Sequence, residues 1–308
     1  MLFLLFPFSL LLTKENRIYM IRNTYIVASV IISLWAIFNH LAGITTHANT
    51  AGISATTNIW GMLLVLPNLS LKKIWQQKLY WLSMSIFLIH NFMDQRRTPF
   101  IILFVGLFLY DFLLCNVRPL HMIKKKRFNV VRFIGLILVL VIVAFSFADS
   151  KRLNETSIRR GFEQRQLIFL MAWMDFEESP LVGKGFGYVS DVPFVHELGK
   201  LEPEIRIHNV YVNILRQGGI IGLTLYLAII FFLGKQCWSA IKKSNNALEH
   251  RIMCSFLVCL VAYLMFGMTS ARAERPEVLV LLVLIAAITQ FVIKKNSRLI
   301  PKISTQVF

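Results

Sequence analysis

Residues His208–Lys235 read HNVYVNILRQGGIIGLTLYLAIIFFLGK. From Asn209 to Leu233 the run is 25 residues long and carries one charge, Arg216. About 20 predominantly apolar residues in a helix cross a bilayer core of about 30 Å. Lipid offers no partners for backbone amides and carbonyls, so a run of this length resolves as a helix that satisfies them internally. This stretch therefore predicts a membrane-spanning helix, entered from a polar loop and left through the basic Lys235.

Working outward, comparable apolar runs lie near residues 1–12, 24–44, 57–71, 79–93, 98–115, 130–148, 253–268 and 277–293, which makes nine with 209–233. The third is interrupted by Pro67 and Asn68. Across all 308 residues the chain is 56% hydrophobic with a mean hydropathy of +0.62, whereas soluble domains are about 45–50% apolar. No period-two alternation of the kind a membrane barrel requires is present. The opening MLFLLFPFSLLL precedes the basic Lys14, the reverse of a signal peptide, whose positive residues come first, so it reads as part of a span. The fold class is an all-α, polytopic helical bundle.

The formal net charge of +17 does not mark a nucleic-acid partner, because the cations sit in short loops between apolar runs. Lys14, Arg17 and Arg22 follow the first run, and Lys72, Lys73 and Lys78 the third. Arg118, Lys124, Lys125, Lys126, Arg127 and Arg132 follow the fifth. Lys235, Lys242, Lys243 and Arg251 follow the seventh, and Lys294, Lys295, Arg298 and Lys302 the ninth. Every second loop is thus basic and belongs inside. The one long loop, 149–207, has eight basic and ten acidic residues, net −2, and falls outside. The chain divides into N-terminal spans (1–148), an outer loop (149–207) and C-terminal spans with a cytoplasmic tail (208–308). Cys115, Cys237, Cys254 and Cys259 lie within or at the inner ends of runs, without metal-ligand or disulfide spacing, and read as small buried hydrophobes.

Within the outer loop, 149–164 is polar, and Arg165–Glu178 (RQLIFLMAWMDFEE) predicts a helix too short to span. Two placements stay open: flat in the membrane interface with Trp173 at headgroup level, or packed on the bundle. SPLVGKGFGYVSD then supplies Pro180, Gly183, Gly185 and Gly187. GKGFG lacks the GxxxxGK[ST] spacing and any preceding strand, so it reads as turn glycines and not as a phosphate loop.

Charge on the outer face is more informative. Arg96 and Arg97 stand in DQRRTP at a hairpin tip, Arg159, Arg160 and Arg165 in the long loop, and Arg272 and Arg275 in MTSARAERPE. Lipid snorkelling explains such residues singly. Several converging arginines suit a lipid-linked diphosphate, because the guanidinium fork donates two parallel hydrogen bonds. His208 and Asn209 stand where the long loop re-enters the membrane, and a neutral imidazole at that boundary can take a proton. Gly219 and Gly222, three apart on a helix, allow close packing, and Arg216 lies about two turns in, as a polar contact or against a neighbouring helix. The other histidines (His40, His47, His90, His121, His196 and His250) read as structural.

Three features resemble the O-antigen ligase and polymerase superfamily of bacterial membrane glycosyltransferases, over about residues 50–293. AGISATTNIWGMLL, Ala51–Leu64, is similar to the family's loop-to-span stretch, with Asn58 near the span start. QRRTPF is similar to its Ser-Arg-Gly motif, with Arg97 in the arginine place, Arg96 for Ser and Thr98 for Gly. Arg165, then PLVGKGFG from Pro180, then HNxxxxxLxxxGxxG from His208 to Gly222 follow in the family's order and spacing.

The resemblance implies a GT-C-like fold of normally twelve spans with cytoplasmic termini and one large periplasmic loop. Nine spans with an outside N-terminus would then lack three at the N-terminal end. It further implies inner-membrane residence, a periplasmic active site and no cofactor or metal. The reaction would be inverting transfer of a glycan from undecaprenyl diphosphate to the lipid A-core oligosaccharide in lipopolysaccharide biosynthesis. The same donor and fold serve a polymerase of O-antigen or another surface polysaccharide, and a transporter without chemistry is the non-enzyme alternative. The implied partners are the undecaprenyl-diphosphate-linked donor, the lipid A-core acceptor and membrane lipids. In that reaction His208 would be the catalytic residue, as base or orienter of the acceptor hydroxyl. Arg97, Arg165 and Arg272 would contact the diphosphate, and Asn209 would hold the substrate geometry.

Overall fold

In the computed structural model the described residues are 15–42, 59–68, 74–93, 97–117, 155–186, 194–195, 201–202, 209–268 and 276–299. They form the helices α1 (Glu15–Leu41), α2 (Ile74–Met93), α3 (Arg97–Asn116), α4 (Glu155–Glu178), α5 (Val210–Lys243), α6 (Ala247–Gly267) and α7 (Pro276–Leu299). Residues 59–65 are also helical and close in the 3-10 turn Leu66–Asn68, where Pro67 removes a backbone donor. A two-residue antiparallel ladder, β1 (Phe194–Val195) with β2 (Leu201–Glu202), pairs Phe194 with Glu202 and Val195 with Leu201; nothing in the sequence reading anticipated it. Seven of the nine expected apolar runs coincide with described helix, and the runs 1–12 and 130–148 lie outside the described residues. Among the described residues two helices, α5 and α6, are long and apolar enough to cross a membrane, and Ile101–Asn116 is a shorter apolar stretch.

The helix ends follow local chemistry. Pro99 falls in the first turn of α3 and Pro276 opens α7, positions whose amides have no intrahelical acceptor in any case. Between α5 and α6, Asn246 Oδ1 accepts the Leu248 amide at 2.9 Å, an N-cap of the kind a short polar side chain supplies.

The chain forms two compact units. The first comprises Met1–Ile134, Phe232–Ala262 and Pro276–Phe308. Its centre is the helical segment 59–65, where Ile59, Trp60, Leu63 and Leu64 are fully buried. A Cβ on Gly61 would stand 2.7 Å from Phe87 and 3.1 Å from Ser29, so α1 and α2 approach this segment more closely than alanine allows. Ser29 and Ser33 turn their hydroxyls back to the carbonyls of Tyr25 and Ser29, at 2.8 and 2.7 Å, which satisfies them inside an apolar helix. Lys295 of α7 donates to Glu249 of α6 at 2.6 Å, and His250 Nδ1 lies 3.1 Å from Ser244 Oγ. Both are structural roles at helix ends. Cys237, Cys254 and Cys259 are buried as expected, whereas Cys115 is exposed: the small-hydrophobe reading holds for three of the four.

The second unit comprises Gly135–Phe231 and Tyr263–Arg275. Here α4 begins ten residues before the expected Arg165 and runs for 24 residues. The polar start of the outer loop is helical because Glu155, Arg159, Arg160 and Glu163 are good helix formers whose charge disguises the element from a hydrophobicity-based reading.

Candidate functional site

The helix after His208 is not continuous. Gly219 has φ 61° and ψ −163°, a conformation open almost only to glycine, and it divides α5 into 210–218 and 220–243. The bend is sharp. The rings of Tyr211 and Tyr226 have centroids 6.2 Å apart, although fifteen residues of straight helix would separate their backbones by about 22 Å. A Cβ on Gly222 would meet the Ile214 carbonyl at 3.9 Å. The expectation that Gly219 and Gly222 pack one straight helix against a neighbour is corrected on this point. Gly219 makes the break, and Gly222 lets the first piece fold close to the second.

A broken helix leaves carbonyls unpaired at the end of one piece and amides at the start of the next. Residues 180–185 take up both sets. The Lys184 and Gly185 amides donate to the Arg216 and Gln217 carbonyls at 3.0 and 2.9 Å. The Ile220 and Ile221 amides donate to the Pro180 and Leu181 carbonyls at 2.9 and 3.2 Å. This backbone-to-backbone docking leaves no room for side chains between the segments. A Cβ on Gly183 would overlap the Gln217 carbonyl group and stand 2.6 Å from the Gly218 nitrogen, and one on Gly219 would overlap the Leu181 carbonyl and stand 2.6 Å from the Val182 nitrogen. Gly183 and Gly185 have positive φ, 68° and 98°, so they are turn glycines as expected. The reason for Gly183 lies in the partner segment.

Side chains reinforce the joint. Arg216 Nε lies 3.4 Å from Asp175 Oδ2 of α4, with the arginine buried and the carboxylate partly buried. A charge pair removed from water requires such a partner. Sequence reading left Arg216 between a polar contact and a neighbouring helix, and Asp175 resolves it. Ile168, Met171 and Val212 pack against the buried Ala172. Lys184 pairs with Glu178, and Trp173 Nε1 donates to Glu177 at 2.7 Å. On the far side, Tyr211 Oη donates to the Leu264 carbonyl at 2.7 Å, and the Tyr226 and Tyr263 hydroxyls meet at 2.8 Å.

Of the expected site residues, Asn209 is described in full. Its Oδ1 accepts the amides of Tyr211 and Val212 at 3.0 and 3.2 Å, so it caps the first piece of α5. The carboxamide oxygen is committed to the helix, and the group left for a substrate is the NH2. Arg97 begins α3 and Arg165 lies within α4; only their backbone is described. His208, Arg272 and Asn58 lie outside the described residues. Sequence reasoning passed over Asp175 as a partner of Arg216, and its one available signal was an acid in an otherwise apolar stretch.

The family model described as O-antigen ligase matches residues 82–227. Over this segment, a little under half of the chain, the protein is similar to that family. The match contains Arg97, Arg165, His208 and Asn209, together with the whole docked joint between 180–185 and α5, and stops short of Arg272. No curated protein matches the chain.

Proposed function

We propose that this protein is an O-antigen ligase, moving a glycan from undecaprenyl diphosphate to the lipid A-core oligosaccharide on the periplasmic face of the inner membrane. The observation that supports it is the joint at Gly219. It gives Asn209, next in sequence to His208, a rigid base: a capped helix, a loop clamped by four backbone hydrogen bonds and a buried Arg216 paired with Asp175. Catalytic groups gain from being held on such a frame, because orientation is paid for before the substrate arrives.

In this reading the acceptor hydroxyl attacks the anomeric carbon with inversion, His208 receives or orients its proton, and undecaprenyl diphosphate departs. Arg97 and Arg165 balance the charge that grows on the diphosphate oxygen as the C–O bond breaks, with Arg272 as a further contact. Asn209 fixes the backbone beside His208. The charge is supplied by arginine, so no metal step is required. A broken helix also suits a transporter, which uses freed carbonyls and helix ends to bind ions. Here the carbonyls of Arg216 and Gln217 and the amides of Ile220 and Ile221 are engaged by residues 180–185, which favours transfer chemistry over transport.

The nine-span topology, with 149–207 and 269–276 outside and 116–129 and the tail inside, belongs to the same proposal. Single cysteines at 155 and 300 in a Cys-free chain test it in spheroplasts: an impermeant reagent should label 155 and spare 300, and the reverse pattern overturns the orientation. For the reaction, the test is a gel of lipopolysaccharide from cells in which the gene is deleted. Loss of ligase leaves an uncapped core while long chains accumulate on the lipid carrier. Core capped by single repeat units identifies a polymerase instead, and an unchanged ladder refutes both.

A further inference from the structure

The surface of the second unit changes character at Gly219. Before it, Val210, Ile214 and Arg216 are buried; after it, Ile220, Ile221 and Leu225 are exposed. The second piece of α5, 220–243, is 24 residues, about 36 Å of helix, enough for a hydrocarbon core of about 30 Å. It ends in Lys242 and Lys243. The outer lipid boundary therefore lies near the break, with residues 210–218 above it.

The loop clamped to that break shows an unusual set of side chains for a segment bonded so closely. Leu181 and Val182 are each 63% exposed and Phe186 is 82% exposed. They adjoin the span directly, because the Leu181 carbonyl accepts the Ile221 amide. Helix α4 continues the same character: its inner face packs Ala172, flanked by Ile168 and Met171, on Val212 of α5, while Leu170, Trp173 and Met174 are exposed. Of the acids at the end of α4, Asp175 pairs with Arg216 and Glu178 with Lys184, which balances their charge, and Glu177 accepts from the Trp173 indole at the exposed edge.

We propose that Leu181, Val182 and Phe186, joined by the Leu170–Met174 face of α4, form a lipid-contact rim that sits in the outer leaflet at the acyl–headgroup boundary. Its occupant is the bilayer itself, as the rim continues the lipid-facing surface of the span from Ile220 outward. Apolar side chains held at that depth gain by leaving water, and Trp173, with an apolar ring and a bonded N–H, has the amphipathic character of a residue at this level. Both open placements of the α4 segment are combined: one face packs on the start of α5 and the other meets lipid. The inference requires that α5 cross the membrane in the proposed orientation, with 149–207 outside, and is independent of the proposed chemistry.

The test uses the full chain with its four cysteines replaced, reconstituted in phosphatidylethanolamine–phosphatidylglycerol vesicles. Nitroxides are placed singly through Val182→Cys, Phe186→Cys and, as the in-lipid reference, Leu225→Cys. Collisions with oxygen should exceed those with a water-soluble nickel chelate at 182 and 186, with the same sign as at 225 and a shallower depth. Greater collision with nickel at 182 and 186 places the loop in water and overturns the proposal. Low collision with both reagents means that protein covers the loop, and dipolar broadening would then identify a second copy; either overturns it as well. An independent arm adds Phe186→Trp to the otherwise unaltered protein. Vesicles containing brominated lipid should quench a larger part of its fluorescence than of the parent's, and equal quenching counts against the rim.

Discussion

Replacing Gly219 by alanine sets two costs against each other. If the joint stays as it is, alanine must adopt φ 61°, ψ −163°, which costs about 1–3 kcal/mol, and its Cβ must overlap the Leu181 carbonyl and stand 2.6 Å from the Val182 nitrogen. Both obstacles are backbone, so no side chain can swing aside. If instead the loop withdraws, four backbone hydrogen bonds are lost. At about 0.5–1.5 kcal/mol net each, that is about 2–6 kcal/mol. The chain takes the cheaper route, and the contact is too close to keep, so the loop should undock at a cost of about 3 kcal/mol or more. By the soluble-protein relation this lowers Tm by roughly 6–12 °C.

Three other glycines serve as controls. Gly222→Ala meets only an ordinary contact at 3.9 Å and should be neutral, as should Gly218→Ala, whose Cβ lies 3.6 Å from Phe186. Gly185→Ala has open space but φ +98° and should show the backbone cost alone, about 1–3 kcal/mol. Thermal unfolding in detergent ranks the four, and protease cleavage near 180–186 reports undocking. If Gly219→Ala and Gly222→Ala unfold at the same temperature with the same cleavage pattern, the docked joint is wrong.

Arg97→Ala and Arg165→Ala should abolish transfer in membranes, with Lys at either site rescuing poorly because a point charge lacks the bidentate fork; full activity of Arg165→Ala at normal protein level removes that residue from the site. His208→Ala should still bind lipid-linked donor but lose about 10²–10⁴ in turnover, measured by single-turnover transfer, and an equal loss of donor binding would argue for a binding role. Activity of the purified protein should survive excess EDTA, and loss that Mg²⁺ or Mn²⁺ restores would turn attention to Asp175, Glu177 and Glu178. Arg216→Met should destabilise by less than the ~3–5 kcal/mol of a fully buried pair, because Asp175 is only partly buried and the contact is 3.4 Å. Adding Asp175→Leu should recover most of the loss, and a double variant no more stable than the single one would deny the pair its role.

The long apolar helices were legible in sequence, because crossing lipid would impose a length and an apolar composition on contiguous residues. The order of Arg165, PLVGKGFG and HNVYVNILRQGGIIGL was legible for a similar reason: spacing along the chain is visible in one dimension. Pro67 likewise announced the end of the segment 59–65, since a missing amide is a local property.

What the sequence did not disclose depended on a second segment. Gly183 and Gly219 each looked like an ordinary turn or helix glycine, and their requirement appears only when residues 180–185 lie against 216–221 and exclude a Cβ from both. Arg216 had no assignable partner until Asp175, 41 positions earlier, came beside it across two helices. The start of α4 was missed because its first turns are stabilised by charged helix formers and not by an apolar stripe. Sequence determined which runs are apolar and long enough to cross a membrane and in what order its motifs come. The tertiary structure decided that the helix after His208 breaks and what fills the break, because backbone hydrogen bonds between distant segments leave no periodic trace in either one.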